Sequence, residues 1–241
     1  MSGTQGTGEK WATGQTKKEK RNKPKLTTPK SEIQIAAWNV RTAHNVGQKE
    51  IIAKELLNHK ISIAALSELR LTGSGTTTVE PPITDEKMTL FYSGGEKREA
   101  GVGFMVDKRA ASSIVAFQPI SDRLAILPVA GTIKTHVISV YAPTETSQDQ
   151  AKDDFYDHLQ HALDLIPRIE VIMLAGNFNA HIGTARIGWE GTMGKFGHGE
   201  INDNGLRLLS FAAANDLIFG NSWFQHSTKQ PYQIACAIDS Q

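Results

Sequence analysis

The stretch "IEVIMLAGNFNAHIG", Ile169 to Gly183, decides how the rest of the chain is read. Its first seven residues, Ile169 to Ala175, are an apolar run broken only by Glu170 and predict a buried strand. Gly176 is expected to end that strand, and Asn177 and Asn179 follow at once. Residues two apart in an extended backbone share a face, so the two asparagine side chains are expected in one cleft. An amide can donate and accept hydrogen bonds, but it cannot take a proton and holds a metal ion only loosely. The stretch is therefore either an active site whose acid has been replaced or a polar turn, where asparagine is common.

Upstream, "IQIAAWNV" (Ile33 to Val40) reads as a mostly buried strand, "GQKEIIAKELLNHK" (Gly47 to Lys60) as a helix and "ISIAALSEL" (Ile61 to Leu69) as a second buried strand. Strand, helix and strand in that order predict a parallel βαβ unit. Thr72 to Val79, loose in Gly and Thr, reads as a loop. "TLFYS" and "GVGFMV" around the polar "GGEKREA" predict a hairpin with a longer turn. "SSIVAFQPI", "DRLAILPV" and "IKTHVISVYAP" read as further short strands of an antiparallel meander. Gln148 to Ile166 is an amphipathic helix with Phe155, Leu159, Ala162, Leu163 and Ile166 on one stripe. A glycine-rich loop then leads to a helix around Asn204 to Asn215, and "LIFGN" is a candidate last strand. This order predicts an α/β fold with two sheets packed face to face and helices outside.

Charge divides the chain of 241 residues unevenly. The first thirty residues hold eight Lys/Arg against two Glu, and the remainder holds 18 Lys/Arg against 23 Asp/Glu. Residues 1–31, poor in apolar groups, are expected to be a disordered basic tail. Its "KKEKRNKPK" run suits phosphate contact or nuclear targeting, and equally a solubilising surface. No apolar run approaches a membrane span, no signal-peptide core is present, and Cys236 is the single cysteine. These features point to a nuclear or cytoplasmic protein that is not secreted.

Several apolar runs finish on a polar residue: Trp38-Asn39, Ser67-Glu68, Val140-Tyr141 and Gly176-Asn177-Phe178-Asn179. Open α/β sheets bind ligands beyond the carboxyl ends of their strands, so Asn39, Glu68, Tyr141, Asn177 and Asn179 are candidates for one site. Each also has a plainer reading, as a solvated loop acid, a packed tyrosine or a turn asparagine.

In this order the motifs "WN", Glu68, "YAP" and "GNFN" resemble the endonuclease/exonuclease/phosphatase superfamily of metal-dependent phosphodiesterases. "AAWNVRT", "GVGFMV", "SDRL", "VYAPT", "FYDHL" and "FNAHIG" resemble more narrowly the endonuclease domains of non-LTR (LINE-type) retrotransposons and the related craniofacial development protein 2 sequences. The resemblance implies a four-layer α/β sandwich over residues 32–241, two packed mixed sheets with helices outside. It further implies a C-terminally truncated domain, because the family's late Ser-Asp-His motif does not occur before Gln241.

The resemblance also implies chemistry. Glu68 and Asn39 would hold Mg²⁺, with Mn²⁺ as an alternative, and Tyr141 and Asn179 would donate hydrogen bonds to a scissile phosphate. Asn177 stands where the family has an aspartate that orients or deprotonates the attacking water. DNA is the implied partner, bound through its backbone largely without sequence preference, and Arg41 and Arg70 are candidate phosphate contacts or surface ion-pair residues. His181 reads as a structural or solvated loop residue. Three functions compete: an endonuclease domain impaired by Asn177, a non-catalytic nucleic-acid-binding remnant, and a small-molecule phosphodiesterase. The basic tail disfavours the last.

Overall fold

A computed structural model describes residues 33–225. The basic tail and the terminal "QIACAIDSQ", Gln233 to Gln241, lie outside the described residues, so the disorder and truncation expected there have no structural counterpart below.

Nine strands form two mixed sheets among the described residues. The first sheet contains β1 (Ile35–Asn39), β2 (Ile63–Ser67), β3 (Ser74–Val79), β4 (Met88–Ser93) and β5 (Val102–Asp107), in the spatial order β1-β2-β5-β4-β3. The second contains β6 (Gln118–Pro119), β7 (Leu124–Val129), β8 (Thr135–Tyr141) and β9 (Val171–Asn177), in sequence order. The expected βαβ unit forms: β1 and β2 are parallel, joined by α1 (Gln48–Asn58). The "TLFYS"/"GVGFMV" hairpin forms as β4 and β5. A second parallel pair, β8 and β9, is joined by α3 (Asp149–Asp164), which follows the short helix α2 (Lys108–Ala111) in chain order.

Side-chain alternation explains the layers. Ile63 and Ala65 of β2, Val102, Phe104 and Val106 of β5, and Ala125, Leu127 and Val129 of β7 share one core between the sheets. The residues between them point outward and are covered in turn. Ala64, Leu66 and Met105 pack with Ile52, Ala53 and Leu56 of α1. Ile126, Ile138 and Val140 pack under Phe155, Leu159 and Leu163 of α3 and under Leu208 and Leu209 of α4 (Asp203–Ala214). Strands buried on both faces carry continuous apolar runs, which is why they are legible as sequence. The result is helix, sheet, sheet and helix, the expected four-layer α/β sandwich.

Four local expectations require correction. Thr72 to Val79 is not only a loop, since Ser74–Val79 pairs with β4 as an edge strand. Five of its six residues are exposed or half-buried, so it lacks the apolar alternation by which strands are recognised, while its three threonines suit an extended backbone. Ser112 to Ile120 pairs with β7 only at Gln118 and Pro119 and through one bridge at Ile114. "LIFGN" forms one bridge at Phe219 and enters the short helix α5 (Gly220–Trp223).

Gly176 does not stop its strand, because β9 runs through it to Asn177. Its φ is 151°, and a Cβ there would lie 2.1 Å from the Val140 carbonyl oxygen. Glycine is required by the close approach of β8, and this approach carries Asn177 into register with Tyr141.

Candidate active site

The two parallel pairs end side by side. In the first sheet Asn39 is in register with Ser67, the residue before Glu68, and in the second Tyr141 is in register with Asn177. A buried hydrogen bond locks the sheets together just beneath: Ser139 Oγ donates to the Leu66 carbonyl at 3.0 Å. Ser139 lies two residues before Tyr141 and Leu66 two before Glu68, so this bond sets the spacing of the two side chains above it.

Glu68 is the centre. Its Oε1 accepts from Asn39 Nδ2 at 2.6 Å, its Oε2 accepts from Arg70 Nη2 at 3.1 Å, and the Tyr141 hydroxyl donates to the same carboxylate. Burial pushes the Glu68 carboxyl up, but the hydrogen bonds from Asn39, Arg70 and Tyr141 outweigh it and hold the group below the usual carboxylate range. Tyr141 moves the other way: burial first, then the Glu68 charge and hydrogen bond, raise the phenol above its ordinary value.

Backbone geometry marks the same place. Seven described non-glycine residues have positive φ, and four belong to this cluster: Arg41 (59°), Glu68 (56°), Arg70 (53°) and Asn179 (47°). Such conformations persist only where surrounding structure imposes them, and they gather at functional sites. The tertiary supports are visible here. Leu69 and Arg70 donate their N–H groups to the Gly101 and Ala100 carbonyls, and Arg41 N donates to Asn39 Oδ1 at 3.0 Å.

Asn177 and Asn179 come together, but not by strand alternation as the sequence suggested. β9 ends at Asn177, and the left-handed turn at Asn179 folds the chain back. Asn177 Oδ1 accepts from Asn179 N at 2.9 Å, and Asn179 Nδ2 donates to the Ala142 carbonyl at 2.7 Å. Arg70 lies against Glu68 as an ion pair. Arg41 is exposed at the rim and forms no ion pair with a described residue. His181 is tied through its backbone to Asn202.

Sequence reasoning missed three residues. Arg123 donates to the Tyr141 carbonyl at 3.1 Å and places its guanidinium carbon 5.1 Å from the centre of the Tyr141 ring. Its only signal was its place within the "SDRL" motif. Asn204 and Glu145 brace the loop that follows Tyr141 and the loop that carries Asn179. The available signal was "NDNG", Asn202 to Gly205, a polar cap ahead of a helix, which by itself announces only the helix start.

The described residues contain no cluster of three His, Cys, Asp or Glu that could cage a metal ion. Glu68 supplies one carboxylate, while Asn39 turns its Nδ2 to that carboxylate and its Oδ1 to Arg41 N, so an amide-oxygen ligand would require the Asn39 side chain to turn. A set this sparse suits Mg²⁺ in its usual enzymatic form. There the ion keeps several waters and takes its remaining ligands from substrate phosphate. No described helix is long and apolar enough to cross a membrane.

Fold and site together define a class, the nuclease and phosphodiesterase fold in which polar residues gather at one end of two packed mixed sheets. Residues 36–230 match the Endonuclease/Exonuclease/phosphatase family, and the chain belongs to it. It is 31% identical over 233 residues to craniofacial development protein 2 of Bos taurus, covering 96% of this chain and 38% of that protein. It is 32% identical over 227 residues to the Tragulus javanicus protein of the same name, covering 93% of this chain and 38% of that one. The chain thus spans well under half the length of these relatives. An AP endonuclease from Archaeoglobus fulgidus shares the fold at a TM-score of 0.50 and 14% identity, over 86% of this chain and 87% of that one. The superfamily resemblance and the sandwich architecture read from the sequence are both borne out.

Proposed function

We propose that this domain is a metal-dependent phosphodiesterase site of the endonuclease type, of retrotransposon origin, directed at the DNA backbone and slowed in this copy by Asn177. The observation that carries the reading is the convergence of Asn39, Glu68, Tyr141, Asn177 and Asn179 at the ends of two parallel strand pairs. Glu68 and Asn39 would hold Mg²⁺ or Mn²⁺, and the bound ion would neutralise charge on phosphate oxygens. Tyr141, whose hydroxyl donates to Glu68, and Asn179, in the turn just past the strand paired with Tyr141, are neutral hydrogen-bond donors. They suit hydrogen bonding to a phosphate whose charge grows in the transition state.

Arg70 holds Glu68 ionised and ready for a cation. Arg41, exposed at the rim and in no ion pair with a described residue, suits a flanking phosphate. Asn177 can orient a water but cannot accept its proton. That defect favours a second reading, a nucleic-acid-binding domain that no longer cleaves.

The test is nicking of supercoiled plasmid with Mg²⁺ or Mn²⁺. The parent chain is expected to nick slowly and only with metal. Glu68→Gln is expected to lose at least about 10²-fold, the scale of charge stabilisation a bound cation supplies to phosphoryl oxygens. Nicking that Glu68→Gln leaves unchanged contradicts the assignment. Salt-sensitive DNA binding without any nicking supports the second reading instead.

A further inference from the structure

The N-terminus of α4 is a hub for the two loops that follow β8 and β9. Its free N–H groups all find partners. Asp203 N and Asn204 N donate to the two oxygens of Glu145, which belongs to the loop after β8. Gly205 N donates to Asn202 Oδ1, and Leu206 N to the Asn202 carbonyl. Asn202 in turn exchanges backbone and side-chain bonds with His181, in the loop after β9. Gly205 permits this contact, since a Cβ there would lie 1.8 Å from the His181 carbonyl oxygen.

Asn204 stands at the centre. It is 3% exposed, and its Nδ2 donates to the Pro143 carbonyl and to the Asn179 carbonyl, each at 3.0 Å. Two converging carbonyls leave only one sensible orientation for the amide, with its nitrogen between them. One acceptor lies two residues after Tyr141, and the other belongs to Asn179 itself. Asn179 Nδ2 closes the same gap through Ala142. A helix cap has no need of this side chain, because Asn202 and Glu145 already satisfy the first turn.

We propose that Asn204 is a positioning residue, the buried clasp that holds the loop just after Tyr141, at Pro143, against the Asn179 loop. What the clasped groups do rests on the function proposed above, but the clasp itself is tested without any activity. An aspartate at this position keeps the shape and loses both donors, turning two attractions into repulsions against carbonyl oxygens.

The experiment is NMR on the protein with ¹⁵N and with ¹³C in the tyrosine ring, comparing the parent, Asn204→Asp and Ser222→Ala. Ser222 is the control: it is buried and bonded to Gly194 and Phe219, and makes no hydrogen bond to Ala142, Pro143, Glu145, Asn179 or His181, the residues Asn204 and its cap hold together. In Asn204→Asp the Asn179 side-chain amide is expected to exchange with solvent at least about tenfold faster, because its opening becomes local and easy. The Tyr141 ring ¹³C resonances are expected to shift, because the ring moves from its place under the Arg123 guanidinium. Ser222→Ala is expected to change neither, though it destabilises the fold. Equal responses in the two variants, or none in Asn204→Asp, overturn the proposal. Should Asn204→Asp not fold, both Nδ2 hydrogens of Asn204 in the parent protein are expected to be protected from exchange, and rapid exchange of either overturns the proposal as well.

Discussion

Asn177→Asp is expected to speed phosphodiester cleavage by about 10²- to 10⁴-fold over the parent chain, the range that a well-placed general base supplies. The substitution is nearly free structurally. Asn177 uses Oδ1 to accept from Asn179 N, a role a carboxylate oxygen performs equally well. Its Nδ2 donates to no other described residue, so no hydrogen bond among them is sacrificed. Gly176 and the register with Tyr141 hold the position whichever side chain is present. The change therefore alters proton chemistry and little else. An activated diester such as bis(p-nitrophenyl) phosphate, assayed with Mn²⁺, makes even a slow parent rate measurable. Equal rates for the two proteins would remove Asn177 as the group that limits the reaction.

The second large effect is on stability. Lys152 of α3 has a side chain only 5% exposed, and its Nζ lies 2.9 Å from Asp203 Oδ2. Asp203 is better placed, being 46% exposed and also bonded by Arg207 Nε at 2.9 Å. Arg207 joins Asp149 and Asp153 as well, so α3 and α4 are tied by a small charge network. Removing Asp203 strands a buried ammonium, which costs about 3–5 kcal/mol. Removing the ammonium instead, by Lys152→Met, keeps the aliphatic stem and leaves Asp203 with Arg207 and water. That substitution is expected to cost about 1 kcal/mol or less. Urea denaturation of Asp203→Ala and Lys152→Met is expected to show this asymmetry. Equal losses would mean that water reaches Lys152 and that its burial carries no penalty.

Much of this architecture was legible in the chain itself, for a physical reason. Strands such as Ile63–Ser67 are covered on both faces, so their apolar runs are continuous and the polar residue at each end stands out. Glu68 and Tyr141 were visible in that way, and their meeting follows once parallel pairs end at the same edge. What was not legible depends on partners far away in sequence. Ser74–Val79 is a strand because β4 is beside it, and its own exposed threonines give no apolar signal. Nothing in the residue types announces that Glu68 and Arg70 adopt left-handed backbone, a conformation imposed by the segment at Ala100 and Gly101. Asn204 reads as the first turn of a helix, and its two carbonyl partners are 25 and 61 residues away along the chain.

The central claim is that these strand ends form one metal and phosphate site. Crystals grown with Mn²⁺ and a short single-stranded DNA, measured for anomalous scattering, test it most directly. The expected map has a manganese peak on the Glu68 carboxylate with Asn39 beside it, and a backbone phosphate between that ion and the Tyr141 and Asn179 side chains. A manganese peak elsewhere with Glu68 still closed upon Arg70, or a phosphate seated away from Tyr141, would contradict it.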